Sequence, residues 1–167
     1  MGSILVLLGL GMTWVLISRN LDIKEKSIRL KDQQKRSSAI ASLKISACER
    51  LTIMLERSTP TSVVMRLPVA GMTAAQLQLE VIKSIRQEFE HNVGLQIYVQ
   101  IETWQAIVQA REETIEIIKL AFQDLTAQTS SIELSQRIFL LEAKTENASI
   151  KNALEMIRKE ISNQFEF

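Results

Sequence analysis

Apolar residues recur at helical spacing through most of the chain and predict an all-α protein. The chain opens with an apolar run at residues 3–18, and amphipathic segments follow in which apolar side chains stand three and four positions apart. No proline precedes Pro60 and no glycine lies between Gly11 and Gly71, which predicts one helix from the apolar run to Ser58. The last apolar stripe of this helix consists of Ile40, Leu43, Ala47, Leu51 and Met54.

Residues 58–72 interrupt this helical pattern. The piece at 63–67, between two prolines, is compatible with a short extended segment or with a turn of helix. Thr73 and Gln76 then match a capping box. In this motif the threonine hydroxyl accepts from the backbone N–H of the glutamine, and the glutamine side chain accepts from the backbone N–H of the threonine. A helix therefore begins at Thr73, and its apolar spacing ends near Asn92.

Three more helices are predicted after a partly apolar link at 95–99. The longest covers 101–127, and shorter ones cover 132–143 and 150–165, with an N-cap supplied by the threonine and serines at 129–131. The main stripe of the helix at 101–127 is Ile101, Trp104, Val108, Ile115, Ile118, Phe122 and Leu125. So many aliphatic stripes can be buried only against one another, which predicts a small antiparallel helical bundle.

The apolar run at residues 3–18 predicts a transmembrane helix. It contains no charged side chain. As a helix it is about 24 Å long at ~1.5 Å per residue, somewhat short of the ~30 Å hydrocarbon core of a bilayer. The alternatives are a buried core helix and a cleaved signal peptide, although a basic start and a small-x-small cleavage site are missing.

The charge changes sign along the chain and predicts how the span is oriented. Residues 19–44 hold eight basic and three acidic side chains, a net charge of +5, and residues 45–167 hold 12 basic and 16 acidic ones, a net charge of −4. Because basic flanks stay in the cytoplasm, we expect a single-pass protein with its N-terminus outside. Its predicted parts are a transmembrane helix at 1–18, a basic helical stalk at 19–38 and a cytoplasmic helical domain at 39–167.

The basic residues nearest the span have two interpretations. They either fix only the orientation of the span or also contact anionic lipid headgroups, whose attraction decays within a Debye length. The side chains close enough for headgroup contact are Arg19, Lys24, Lys26 and Arg29.

The composition excludes several kinds of chemical site. The single cysteine excludes an intramolecular disulfide and a Cys-rich zinc site, and the single histidine excludes sites that need two. The net charge of +1 argues against a nucleic-acid-binding protein. The sequence identifies no catalytic residue, no metal ligand set, no cofactor and no small-molecule substrate.

The strongest candidate for reactive chemistry is the segment from Glu88 to His91. These two residues stand three apart, the spacing of helical di-metal sites, but such sites take this motif from two helices. The alternative is a set of polar groups at a helix C-terminus. Cys48 follows the stripe residue Ala47 and is expected to pack as a small apolar side chain.

Arg111 and Glu88 are candidates for a structural ion pair. Arg111 stands in the apolar stripe of the helix at 101–127, and Glu88 follows Ile85 by three positions. The two charges can meet as a buried or half-buried pair that specifies geometry more than it stabilises. Alternatively, the Arg111 stem lies on the edge of the core with its guanidinium in water.

Four segments, at 47–57, 86–92, 96–99 and 104–112, resemble one protein family. The resemblance depends mainly on Glu-Arg-Leu with Leu-Glu-Arg in the first segment, and on Glu-Phe-Glu-His-Asn followed by Gln-Ile-Tyr-Val. The family consists of short bacterial single-span membrane proteins with a cytosolic helical domain of unknown function. The resemblance implies a location in the bacterial inner membrane and no known reaction, cofactor or catalytic residue.

The sequence as a whole predicts a membrane-anchored, non-catalytic helical module. It would contact the bilayer through residues 3–18 and would bind a protein partner or a second copy of itself. The other hypotheses are an enzyme or regulatory subunit that uses Glu88, Glu90 and His91, and a membrane organiser that contacts anionic lipid through the stalk.

Overall fold

The computed structural model describes the backbone of residues 2–165 and the side chains of Trp14, Arg19 and residues 24–162. Every regular element of the described chain is a helix, which confirms the predicted all-α class and the helical bundle. Its α-helices are α1 (Gly2–Arg57), α2 (Pro60–Arg66), α3 (Ala74–Asn92), α4 (Ile101–Phe122), α5 (Ser131–Thr145) and α6 (Ala148–Phe165). A 3₁₀ helix, Val93–Tyr98, forms the link before α4.

Among the described residues, no helix combines the length and the apolar character needed to cross a membrane. The predicted span at residues 3–18 lies, apart from Trp14, outside the described side chains.

The chain divides into two compact units between Ser42 and Leu43. In the first unit, every described side chain from Lys24 to Ile40 is exposed. The second unit contains the end of α1 and all the later helices.

Two hydrophobic clusters form the core of the second unit, and α4 contributes to both. The first cluster joins the end of α1 to the first half of α4, to α6 and to Phe89 of α3. The second joins α2, α3 and α5 to the second half of α4. Phe89 packs on Trp104 with 5.1 Å between the ring centroids. Because α4 is shared, burial of apolar surface in each cluster stabilises the same central helix.

Local sequence signals set most of the helix ends. The Thr59 side chain accepts a hydrogen bond from Ser62 N and places Pro60 at the start of α2, so the segment after Ser58 contains a turn of helix. The predicted capping box is formed: Thr73 N donates to Gln76 Oε1 over 3.0 Å, and Gln76 N donates to Thr73 Oγ1 over 3.3 Å.

Two sequence predictions about these helices were wrong. The helix predicted at 101–127 ends at Phe122, because Gln123 leaves the helical conformation with ψ of 137° and Asp124 then takes a left-handed conformation with φ of 68°. The α1 stripe is also not buried along its full length. Ala47, Leu51 and Met54 are buried, whereas Ile40 and Leu43 remain 64% and 53% exposed.

Candidate functional site

A buried carboxylate with three polar partners, that of Glu160 on α6, is the candidate site. Glu160 is only 3% exposed. Lys44 Nζ lies 2.7 Å from Glu160 Oε2. Glu160 Oε1 accepts a hydrogen bond from the backbone N–H of Gln100 over 2.6 Å and another from Thr103 Oγ1 over 2.8 Å. The cluster therefore joins α1, α4 and α6 through one buried anion, and we call these four residues the Glu160 cluster.

Local structure explains why the anion is held at this point. Gln100 is the N-cap residue of α4, and Thr103 lies in its first turn, so the carboxylate sits at the end of α4 where backbone N–H groups lack helical partners. A negative charge is also favoured at the N-terminus of a helix by the helix dipole. On α6, Glu160 follows the buried Ile157 by three positions, which turns its side chain towards the core.

The electrostatics of the cluster favour a charged pair. Burial alone would raise the pKa of Glu160, but the hydrogen bonds from Lys44, Gln100 and Thr103 and the positive charge of Lys44 outweigh burial and lower it. Burial raises the pKa of the neighbouring Cys48 thiol, and the charge of Glu160 raises it further, against an opposing effect of Lys44. Cys48 is fully buried and thus behaves as a packed, protonated side chain.

A second buried carboxylate, that of Glu142, fastens α2 to the turn between α5 and α6. Glu142 Oε2 accepts a hydrogen bond from the backbone N–H of Thr61 over 2.8 Å and another from the Thr61 hydroxyl. Glu142 Oε1 accepts from Asn147 Nδ2 over 2.7 Å. Glu146 and Asn147 adopt left-handed conformations in this turn, with φ of 53° and 51°. Both buried carboxylates thus connect elements that are far apart in the sequence.

The structure gives Glu88 and Arg111 partners other than each other. Arg57 Nε, at the end of α1, lies 3.1 Å from Glu88 Oε1. The Arg111 guanidinium lies 4.1 Å from the centroid of the Phe89 ring, and its Nε donates to Glu112 Oε1 over 2.9 Å. Because Arg57 of α1 pairs with Glu88, Glu88 and Arg111 do not form the predicted ion pair. Arg111 instead covers the edge of the core.

The other residues singled out from the sequence lie on the surface. His91 is exposed, with its Nδ1 2.7 Å from the Gln87 carbonyl oxygen, and Glu90 is exposed beside it. No group of three His, Cys, Asp or Glu side chains among the described residues is placed to hold a metal ion. The four basic side chains considered for lipid contact are all exposed, namely Arg19, Lys24, Lys26 and Arg29.

Sequence reasoning missed Lys44, Glu142 and Glu160. A signal was present in each case: Glu142 follows Ile138 by four positions, Glu160 follows Ile157 by three, and Lys44 precedes Cys48 by four, so each stands on an apolar face. An acid or a lysine at the edge of such a face is most often exposed. The distant partners that these three side chains contact are not encoded in local spacing.

Comparison with known proteins adds a family but no activity. A family model described as "Family of unknown function (DUF7935)" matches residues 2–164, nearly the whole chain. No curated protein matches the chain. No solved structure matches it either. The chain, with its long first helix and its two buried carboxylate clusters, belongs to the family of unknown function DUF7935.

Proposed function

We propose that this protein is a membrane-anchored helical module that binds other proteins and does not catalyse a reaction. In this proposal, residues 3–18 cross a bacterial inner membrane, the basic residues after them stay in the cytoplasm, and the helical bundle is presented there. The uncharged run at residues 3–18 and the net charge of +5 at residues 19–44 support the anchor and its orientation.

The observation that carries the proposal is the construction of α1. It is one helix from Gly2 to Arg57, and its last turns lie in the first hydrophobic cluster with Cys48, Leu51 and Met54 buried. Lys44 adds a partly buried ion pair with Glu160 just where this part begins. A helix held by both packing and a partly buried charge pair suits a connection between an anchor and the domain that it carries.

Exposed cations next to the apolar run support a contact with anionic lipid as part of the same role. Arg19 and Lys24 are exposed, and each basic side chain close to an anionic surface is attracted by about 1 kcal/mol. This contact would strengthen the anchor rather than replace it.

Alkaline carbonate extraction of bacterial membranes that contain the full chain tests the anchor. We expect the protein to stay in the membrane pellet. Leu8→Arg with Leu10→Arg should release it, because each arginine at the centre of a span costs about 2.5–3.5 kcal/mol. Leu30→Arg with Ile40→Arg is the matched control, since both side chains are exposed on α1 outside the run, and this variant should stay in the pellet.

Two results would contradict the proposal. One is extraction of the unsubstituted chain by carbonate, and the other is equal release of the control variant. A fusion of alkaline phosphatase to the C-terminus tests the orientation, since this enzyme is active only outside the cytoplasm, and we expect it to be inactive.

A further inference from the structure

A groove of 220 Å³ runs along the exposed side of α4 where the turn between α5 and α6 approaches it. Its apolar lining includes Ile117 and Leu120, and Leu120 is 49% exposed. Glu113 and Glu116 of α4 line the same groove. We call these four residues, with Asn147 from the turn, the acidic groove.

The acids of this groove are only weakly engaged within the chain. Lys119 Nζ lies 3.3 Å from Glu116 Oε2, and both side chains are more than half exposed. Glu113 accepts a hydrogen bond from the neutral side chain of Gln109 over 2.7 Å. Asn147 Oδ1 has no hydrogen-bond donor among the described residues. Exposed pairs of this kind contribute little free energy and exchange readily for other cations.

The same chain carries a surface with the complementary pattern. Lys24, Ile28, Lys31 and Lys35 are spaced four, three and four positions apart, which puts them on one face of α1. All four side chains are exposed, Ile28 by 60%. None of the three lysines forms an ion pair with a described residue. We call these four residues the basic face.

We propose that the acidic groove binds the basic face of α1 from a second copy of this chain. Ile28 of one copy would cover Ile117 and Leu120 of the other, and the flanking lysines would pair with Glu113 and Glu116. The net charges of +5 at residues 19–44 and −4 at residues 45–167 favour such an association between copies. Each copy carries both surfaces, so the dimer that we propose makes this contact twice, about a two-fold axis.

This inference rests on the proposed function in one respect: it names the protein partner of the interaction module. The membrane anchor is tested separately, by carbonate extraction. A chain that stays in the membrane pellet but does not self-associate would therefore overturn the partner and leave the anchor intact.

Sedimentation equilibrium of the full chain in a mild non-ionic detergent tests the contact. We expect a dimer whose dissociation constant rises with salt, because exposed charges are screened beyond a Debye length. Glu113→Lys with Glu116→Lys should weaken the dimer at least tenfold. Glu133→Lys with Glu155→Lys is the matched control, since it makes the same change in net charge and also removes acids that pair within their own helices. This control should leave the dimer unchanged.

A charge exchange completes the test. Lys31→Glu with Lys35→Glu should weaken the dimer as much as reversal of the groove does, and mixing these two weakened variants should restore association between them. Circular dichroism checks that each variant keeps its helix content. Three results would each overturn the proposal. The first is an unsubstituted chain that is monomeric, the second is a Glu113→Lys with Glu116→Lys variant that weakens the dimer no more than the control variant does, and the third is a mixture of the two weakened variants that fails to associate.

Discussion

At the scale of single residues, the buried carboxylate of Glu160 makes stability depend on pH. Its pKa is below the ordinary value because hydrogen bonds and the charge of Lys44 outweigh burial. A lowered pKa means that the folded state favours the ionised group. Its contribution is therefore complete above the ordinary Glu value of about 4.3 and is lost as the pH falls through the lowered value.

Glu160→Gln tests this dependence. Near neutral pH we expect the variant to lose about 1–3 kcal/mol of unfolding free energy, because a neutral amide replaces a charged acceptor. The loss should shrink as the pH falls through the folded pKa of Glu160, where the wild-type group becomes neutral too. Thermal melting of both proteins between pH 7 and pH 3 measures the difference in stability between them. A difference that stays constant over this range would contradict the account.

The contacts of Arg111 predict which pairs of residues are energetically coupled. The guanidinium lies on the Phe89 ring, so Arg111→Met and Phe89→Leu should couple by about 0.5–1 kcal/mol. Arg111→Met and Glu88→Leu have no shared contact and should add to within about 0.3–0.5 kcal/mol. Double-mutant cycles on denaturant unfolding measure both values. Coupling of Arg111 to Glu88 but not to Phe89 would restore the ion pair expected from the sequence.

At the scale of elements, Glu142 is predicted to hold α2 in place. Glu142→Ala removes the acceptor of the Thr61 N–H and hydroxyl, and hydrogen bonds to a charged group are worth about 1.5–3 kcal/mol each. We expect faster hydrogen exchange in α2 by a factor of ten or more, with much smaller changes in the central α4. Hydrogen exchange followed by mass spectrometry resolves the two helices. Equal acceleration in both would mean that Glu142 stabilises the bundle globally instead.

Most of the elements could be predicted because their ends are encoded by nearby residues. Pro60 and the capping box of Thr73 and Gln76 act within a few positions, so spacing and capping chemistry revealed them. The end of α4 was missed because Leu125 continues the apolar stripe, while Asp124 is one of the residue types that tolerate a left-handed conformation. Nothing in the local pattern states which of these two tendencies prevails.

The candidate site was less predictable for a different reason. Glu160 depends on Lys44 and Thr103, which lie far away in the sequence and meet it only once the helices have packed. Without those partners, an acid at the edge of an amphipathic helix is expected in water. The same holds for Glu88, whose partner Arg57 comes from α1 rather than from α4.

At the scale of the whole molecule, the division between Ser42 and Leu43 predicts where a protease cuts first. Side chains from Lys24 to Ile40 are exposed, and segments with few buried contacts open locally at little cost. We expect brief trypsin treatment to cut after residues such as Lys31 and Lys35 and to leave the bundle intact. Mass spectrometry of the products identifies the sites.

Lys44 provides a control for this experiment on the same helix. Its side chain is 23% exposed and paired with Glu160, so cleavage there should be slower than at Lys35. Early cleavage within α4 or α5 would contradict the assignment of the bundle as the resistant part.

The burial of Cys48 gives the molecule an intrinsic reporter. It is the only cysteine in the chain, it is fully buried among α1, α4 and α6, and its thiol has a raised pKa. An alkylating reagent in native buffer can therefore react only in the fraction of molecules whose first helix has separated from its neighbours. The ratio of this labelling rate to that of an exposed thiol gives the free energy of that opening, with no engineered probe.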